Sequence, residues 1–123
     1  MSLFKSISVV SYHVKDWEAA KDFYRIIFEW QVAYESEEMG WIEFGGEGET
    51  HIAISRWDSE EPMPPYIGGA TAVLSVEDAV AATEALRSRG VRCDDAVMIP
   101  GVVCFGTFYD PEGNRIQFAS DPK

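Results

Sequence analysis

The chain repeats itself. Val14-Lys15-Asp16-Trp17-Glu18-Ala19-Ala20 lies on Val76-Glu77-Asp78-Ala79-Val80-Ala81-Ala82 at an offset of 62, about half of the 123-residue length. Each copy reads as the end of a strand, an aspartate that caps a helix, and the first helical turn. The same order of elements then follows both copies, so the repeat predicts two βαβββ modules in tandem within one α+β domain. Module one covers about residues 1–57, a connector 58–69, and module two 70–123. Each module has a single helix, which can cover only one face of its sheet. The other face must pack elsewhere or line a cavity.

In module one, Ile7 to Val14 alternates and is rich in β-branched residues, as a strand requires. Ala20, Phe23, Tyr24 and Ile27 follow at helical spacing, with Glu18 favouring the dipole in the first turn. Trp30, Val32 and Tyr34 then alternate with polar positions, predicting a strand with one buried face. Trp41–Phe44 and Thr50–Ser55 are the next strands, around Gly45-Gly46-Glu47-Gly48. Pro62, Pro64 and Pro65 exclude helix and central strand from the connector. In module two the predicted elements are a strand at Thr71–Val76, a helix at Ala79–Arg89 ended by Gly90, and strands at Val91–Ile99, Val102–Tyr109 and Asn114–Ala119. The last two flank Asp110-Pro111-Glu112-Gly113-Asn114, where proline presets φ and glycine supplies φ > 0.

Charge narrows the partners. A net charge of −11 disfavours nucleic acid and anionic membrane surfaces, which select clustered lysine and arginine. No apolar run approaches the roughly 20 residues of a membrane span, and the N-terminus has no signal-peptide pattern. Cys93 and Cys104, each in an expected strand, read as reduced structural thiols rather than a disulfide framework. The expectation is a cytoplasmic protein. Glu35, Glu37 and Glu38, and the run Asp58-Ser59-Glu60-Glu61, read as solvated loops. There is no phosphate-binding loop, GxGxxG, serine elbow or CxxC.

Several stretches together carry a family resemblance. They are Val14-Lys15-Asp16, Asp22-Phe23-Tyr24, Phe28 and Trp30 in module one, then Val76-Glu77-Asp78, Leu86, Gly90-Val91 and Tyr109-Asp110-Pro111-Glu112-Gly113-Asn114 in module two. With these the chain resembles the vicinal oxygen chelate superfamily of glyoxalase I, bleomycin-resistance proteins and extradiol dioxygenases. Glu29 stands where many relatives carry glycine, so the first helix is expected to lack a left-handed glycine cap. The resemblance implies curved sheets around a cavity, formed within one chain or across a homodimer. It also implies four metal-ligand positions, drawn from the first and last strand of each module. Here those positions fall on Val9, Ala53, Thr71 and Gln117.

Valine and alanine have no lone pair to give, and threonine and glutamine are weak neutral ligands for nickel, zinc or iron. No metal or cofactor is therefore expected, and the expected partner is a small organic ligand. The alternative is a metal-dependent glyoxalase-like lyase, isomerase or dioxygenase with a non-standard ligand set that includes Gln117 and a histidine. Strand parity puts Ser11 and His13 on the face of Val9, and His51 on the face of Ala53. If residue 9 lies opposite residue 53, His51 and His13 are about 20 Å apart and cannot share a metal. Each reads either as a rim or strand-end polar group or as a proton-transfer or ligand-contact residue. Ser75 joins Thr71, and Arg115 joins Gln117, on the predicted cavity side. Arg115 reads either as a partner for a ligand carboxylate or as a solvated turn residue. The tryptophans and tyrosines supply core packing, and any that face the cavity supply a stacking surface.

Overall fold

A computed structural model of the chain describes residues 2–3, 5–60, 62 and 70–122. It separates into two compact units, Met1–Pro65 and Tyr66–Lys123. The first contains β1 (Val9–Val14), α1 (Trp17–Phe28), β2 (Val32–Ser36), β3 (Trp41–Phe44) and β4 (His51–Arg56). The second contains β5 (Val73–Ser75), α2 (Ala79–Ser88), β6 (Val97–Ile99), β7 (Val103–Tyr109) and β8 (Arg115–Ser120). The sheet orders are β1-β4-β3-β2 and β5-β8-β7-β6. In both, the first strand pairs with the last in parallel and the remaining pairs are antiparallel. The tandem βαβββ pattern is therefore the observed one. Most of the predicted connector lies outside the described residues.

The first core forms because alternate strand residues meet one helical stripe. Tyr12, Val14, Ile42, Phe44, Ile52 and Ile54 are all buried on the side of α1. There Trp17, Ala20 and Tyr24 of the helix are buried as well, with the Tyr24 ring stacked on Phe44 at 6.2 Å. Asp16 caps the helix by accepting from the Ala19 amide. Lys21, on the same helix, is buried too. It is held by Glu37, by Glu18 at 3.1 Å and by Glu35 at 3.8 Å, while Trp17 Nε1 donates to Glu37 at 2.9 Å. Two glutamates expected to be solvated thus anchor the β2–β3 hairpin to the helix.

Strand β2 departs from its expected half-burial: Val32 is 41% and Tyr34 51% exposed. It is the edge strand, and α1 packs over β4 two places away, so its apolar residues find no cover. The predicted strand Val91–Ile99 shrinks to Val97–Ile99, with Cys93 making only an isolated bridge to Phe108. The adjacent Asp94-Asp95 pair, both exposed, favours solvent over a continuous strand.

The first helix closes on Glu29, which takes the left-handed conformation itself at φ 56°. Its amide donates to the Arg25 carbonyl at 3.2 Å. A side chain there costs roughly 1 kcal/mol that glycine avoids. Glu29→Gly is expected to raise stability by about 1 kcal/mol, read as a higher midpoint in thermal unfolding. An unchanged or lower midpoint would contradict a strained cap.

In the second unit Asp78 caps α2 by accepting from Val80 and Ala81, and Ala79 donates to Ser120 Oγ at 3.0 Å. Gly90 terminates the helix at φ 82°. The core is Phe108, Ile116 and Phe118 beneath Ala79 and Thr83. The buried residues of α2 are thus Ala79 and Thr83; Ala85 and Arg89, which lie 62 residues on from Phe23 and Ile27 of the first helix's stripe, are exposed. Small helical residues sit there because the helix lies close against Gly106 of β7.

Candidate functional site

Alternation fixes what each sheet shows on the side away from its helix. In the first unit that open face carries Val9, Ser11 and His13 of β1, His51, Ala53 and Ser55 of β4, and Trp41 and Glu43 of β3. Val9 pairs with His51, and Ser11 with Ala53. The expected pairing of residue 9 with residue 53 is therefore corrected by two positions. A two-residue shift keeps parity, so the predicted face stands while the partners change. His51 and His13 are then four residues apart along the ladder, about 13 Å, still too far to share a metal. Ser11 and His13 are exposed, Val9 and His51 half-buried and Ala53 buried. His13 meets the Trp57 ring edge-on at 5.2 Å.

His51 is the most constrained polar group on this face. Its Nδ1 lies 2.8 Å from Glu43 Oε1 and its Nε2 lies 2.9 Å from the Gly46 carbonyl. A carboxylate and a carbonyl only accept, so both ring nitrogens must donate and the ring is satisfied as an imidazolium. The other Glu43 oxygen accepts from Trp41 Nε1 at 2.8 Å. The Glu43 bond, reinforced by Gly46, raises the His51 pKa above its ordinary 6.5. The same bond, with that of Trp41, lowers Glu43 below its ordinary 4.5. The His51 contribution is complete below pH 6.5 and is lost as pH rises through the raised value; that of Glu43 is complete above pH 4.5 and is lost as pH falls through the lowered one. Thermal midpoints of wild type and His51→Gln should therefore differ most between about pH 4.5 and 6.5. A difference independent of pH would rule out the charged pair. Glu43 was not anticipated, although one acid in the otherwise apolar Trp41-Ile42-Glu43-Phe44 was the available signal.

In the second unit the open face forms rows across the sheet. Gln117 pairs with Val73 on one side and Thr107 on the other. Its Nε2 donates to Thr107 Oγ1 at 3.1 Å. Thr71 precedes β5 and falls one row away from Gln117, level with Arg115. Its Oγ1 accepts from Arg115 Nε at 3.3 Å and Nη2 at 3.0 Å. Ser75 belongs to the row of Ala119 and Phe105. Arg115 thus stands on the sheet face rather than in the turn. Tyr109, opposite Arg115, and Arg92, stacked 4.2 Å from the Tyr109 ring centroid, complete its row and were not predicted.

The family resemblance implies a metal at the positions of Val9, Ala53, Thr71 and Gln117. Here Val9 and Ala53 offer no donor atom, the Thr71 hydroxyl accepts from a guanidinium, and the Gln117 amide binds Thr107. His51, with both nitrogens donating, has no lone pair to lend. Among the described residues no group of three or more His, Cys, Asp or Glu side chains is arranged to hold a metal ion. Val9, Ala53, Thr71, Gln117 and His51 do not make a metal-binding set. Among the described residues, no helix is long and apolar enough to cross a membrane.

Comparison with known proteins agrees with this architecture. The Glyoxalase/Bleomycin resistance protein/Dioxygenase superfamily profile matches residues 6–118. No curated protein matches the sequence significantly. Among solved structures, the antibiotic-binding protein TnmS3 from Streptomyces sp. CB03234 is 25% identical with a TM-score of 0.74, over 98% of this chain and 99% of that one. A superfamily member from Sphaerobacter thermophilus DSM 20745 is 21% identical with a TM-score of 0.77, over 98% and 100%. Lactoylglutathione lyase from Agrobacterium tumefaciens is 15% identical with a TM-score of 0.71, over 97% and 96%. The profile match spans nearly the whole chain and the element order agrees with it, so the protein belongs to the Glyoxalase/Bleomycin resistance protein/Dioxygenase superfamily.

Proposed function

We propose that the protein is a metal-free, small-molecule-binding member of its superfamily, acting as a cytoplasmic homodimer. The observation that carries this reading is the donor chemistry at the family's metal positions, where Val9, Ala53, Thr71 and Gln117 replace imidazole and carboxylate. What the open faces offer instead suits an organic ligand: apolar Val73 and Phe105, aromatic Trp41, and a few fixed hydrogen-bonding groups such as Gln117 and Thr107. The likeness to an antibiotic-binding protein at 25% identity supports the same reading. A lyase would need its metal, and Gln117 is neutral where a catalytic relative presents glutamate.

Elemental analysis of purified protein, followed by thermal shifts with Ni²⁺, Zn²⁺, Mn²⁺ and Fe²⁺, tests it. The expected result is no stoichiometric metal, no metal-dependent shift, and stabilisation by members of an organic ligand library. Stoichiometric metal that is lost in Gln117→Ala would overturn it in favour of the metal-dependent enzyme. Sedimentation should give twice the mass of one chain; a monomer at micromolar concentration would remove the dimer from the proposal.

A further inference from the structure

We propose that a hollow at the end of the first unit's sheet binds a small, soluble quaternary ammonium between one tryptophan and one glutamate. The place is separate from the open sheet faces, and the inference does not depend on the reading given above for them. The hollow measures about 270 Å³ and lies where the α1–β2 connection meets the β3–β4 loop. Trp30 and Gln31 of the connection border it, together with Gly45, Gly46, Glu49 and Thr50 of the loop.

Backbone bonds hold these walls in place. The Gly45 amide donates to the Gln31 carbonyl at 2.9 Å and ties the loop to the connection. The Glu49 amide donates to the Gly46 carbonyl at 3.3 Å and closes the turn between them. Thr50 Oγ1 donates to the Ile7 carbonyl at 2.8 Å, anchoring the end of the loop to the segment before β1. The Trp30 indole is 40% exposed and stacks on Phe28 at 4.8 Å. Phe28 does not border the hollow, so it steadies the ring without filling the space. Glu49 lies back over Gly46, where a Cβ would overlap its Oε1. The glycine thus makes room for the carboxylate at the hollow.

The charges at this end leave a negative excess. Glu43 and Glu49 both favour the charged form of His51, which Glu43 binds at 2.8 Å, so two carboxylates meet one imidazolium. Glu47, exposed on the same loop, adds a third carboxylate. Among the described residues no lysine or arginine, Lys5 of the adjoining segment included, forms an ion pair with Glu47 or Glu49. A hard metal ion requires several oxygen donors, which one carboxylate does not supply. A trimethylammonium group suits the pair better. Its methyls lie on the indole face that Phe28 leaves uncovered, and its charge is attracted by both the ring and Glu49.

The test compares choline with its uncharged isostere 3,3-dimethylbutan-1-ol and with the anion 3,3-dimethylbutanoate. Each is titrated into the full chain and followed by NMR at the Trp30 indole N–H and the Gly45 and Gly46 amides. Choline should bind saturably at about millimolar concentration and about ten-fold tighter than the isostere, and the anion should not bind. Glu49→Gln should reduce choline affinity several-fold and leave the isostere unchanged. Glu47→Gln removes the same charge from a neighbour that does not border the hollow, and should change affinity by no more than about two-fold. Trp30→Phe keeps a ring and should retain part of the preference for the cation, whereas Trp30→Leu should abolish it. No choline binding, equal affinity for the isostere, equal effects of the two glutamate substitutions, or a preference that survives Trp30→Leu would overturn the inference. Capture of the protein by phosphatidylcholine vesicles without binding of free choline would overturn it too, because the ligand would then be a lipid headgroup. Stabilisation of metal-free protein by an organic ligand library, with no response to choline, would remove this inference and leave the small-molecule reading standing. Choline binding to protein that carries stoichiometric metal would do the reverse.

Discussion

Gly106→Val should destabilise the protein by about 3 kcal/mol, and Gly106→Ala by about 1–3 kcal/mol, measured as lower midpoints in thermal or urea unfolding. Two effects compete at this position. Glycine inside a strand is unfavourable by roughly 0.5–1 kcal/mol relative to alanine, and valine is a preferred strand residue. On propensity alone both substitutions would stabilise. Packing opposes them: a Cβ at residue 106 would come closer than 3.0 Å to two ring carbons of Phe118 and to Thr83 Oγ1. Neither neighbour can yield cheaply. Phe118 is 1% exposed and tilted against Phe108 at 6.1 Å, while Thr83 is 3% exposed and bonds the Ala79 carbonyl. Steric overlap therefore outweighs propensity. A neutral or stabilising Gly106→Ala would show that α2 is free to move off the sheet.

The division between what sequence disclosed and what it hid follows from the range of each interaction. Asp16 and Asp78 accept from amides two or three residues on, and Gly113 donates its amide to the Asp110 carbonyl, so these caps and this turn were readable from local composition. The 62-residue repeat reported the element order, which is a property of the pattern rather than of any contact. Register was not readable. Pairing of Val9 with His51 instead of Ala53 depends on how the β3–β4 connection and the helix crossover close, and alternation is blind to a shift of two. Lys21 was hidden for a different reason. A lysine on a helix reads as solvated unless its acidic partners, Glu35 and Glu37 on another element, are known to converge on it. The same holds for Tyr109 between Arg92 and Arg115, which meet only because β7 pairs with β8 on one side and with the segment at Arg92 on the other. Sequence thus identified which residues share a sheet face and left their partnerships to the structure.

Asp110→Ala is the second substitution expected to be costly, at about 3 kcal/mol. Asp110 is 4% exposed and its carboxylate organises the final turn. Oδ1 accepts from the Glu112 and Asn114 amides, both at 2.9 Å, and Oδ2 accepts from Asn114 Nδ2 at 2.8 Å. Hydrogen bonds to a charged acceptor contribute about 1.5–3 kcal/mol each, and partial exposure of Glu112 and Asn114 lets water replace some of that. Asp110→Asn keeps the Oδ1-type acceptor for the backbone but cannot accept from Asn114 Nδ2. It should cost about 1 kcal/mol. If Pro111 and Gly113 shaped the turn by themselves, both substitutions would be nearly silent, and that outcome would refute the role given to Asp110. The consequence extends past stability, because this turn sets the pairing of β8 with β7. A one-residue slip would turn Arg115 and Gln117 toward α2 and bring Ile116 and Phe118 to the open face. Hydrogen exchange at the β8 amides should accordingly rise in Asp110→Ala at temperatures well below its midpoint, and remain near wild type in Asp110→Asn.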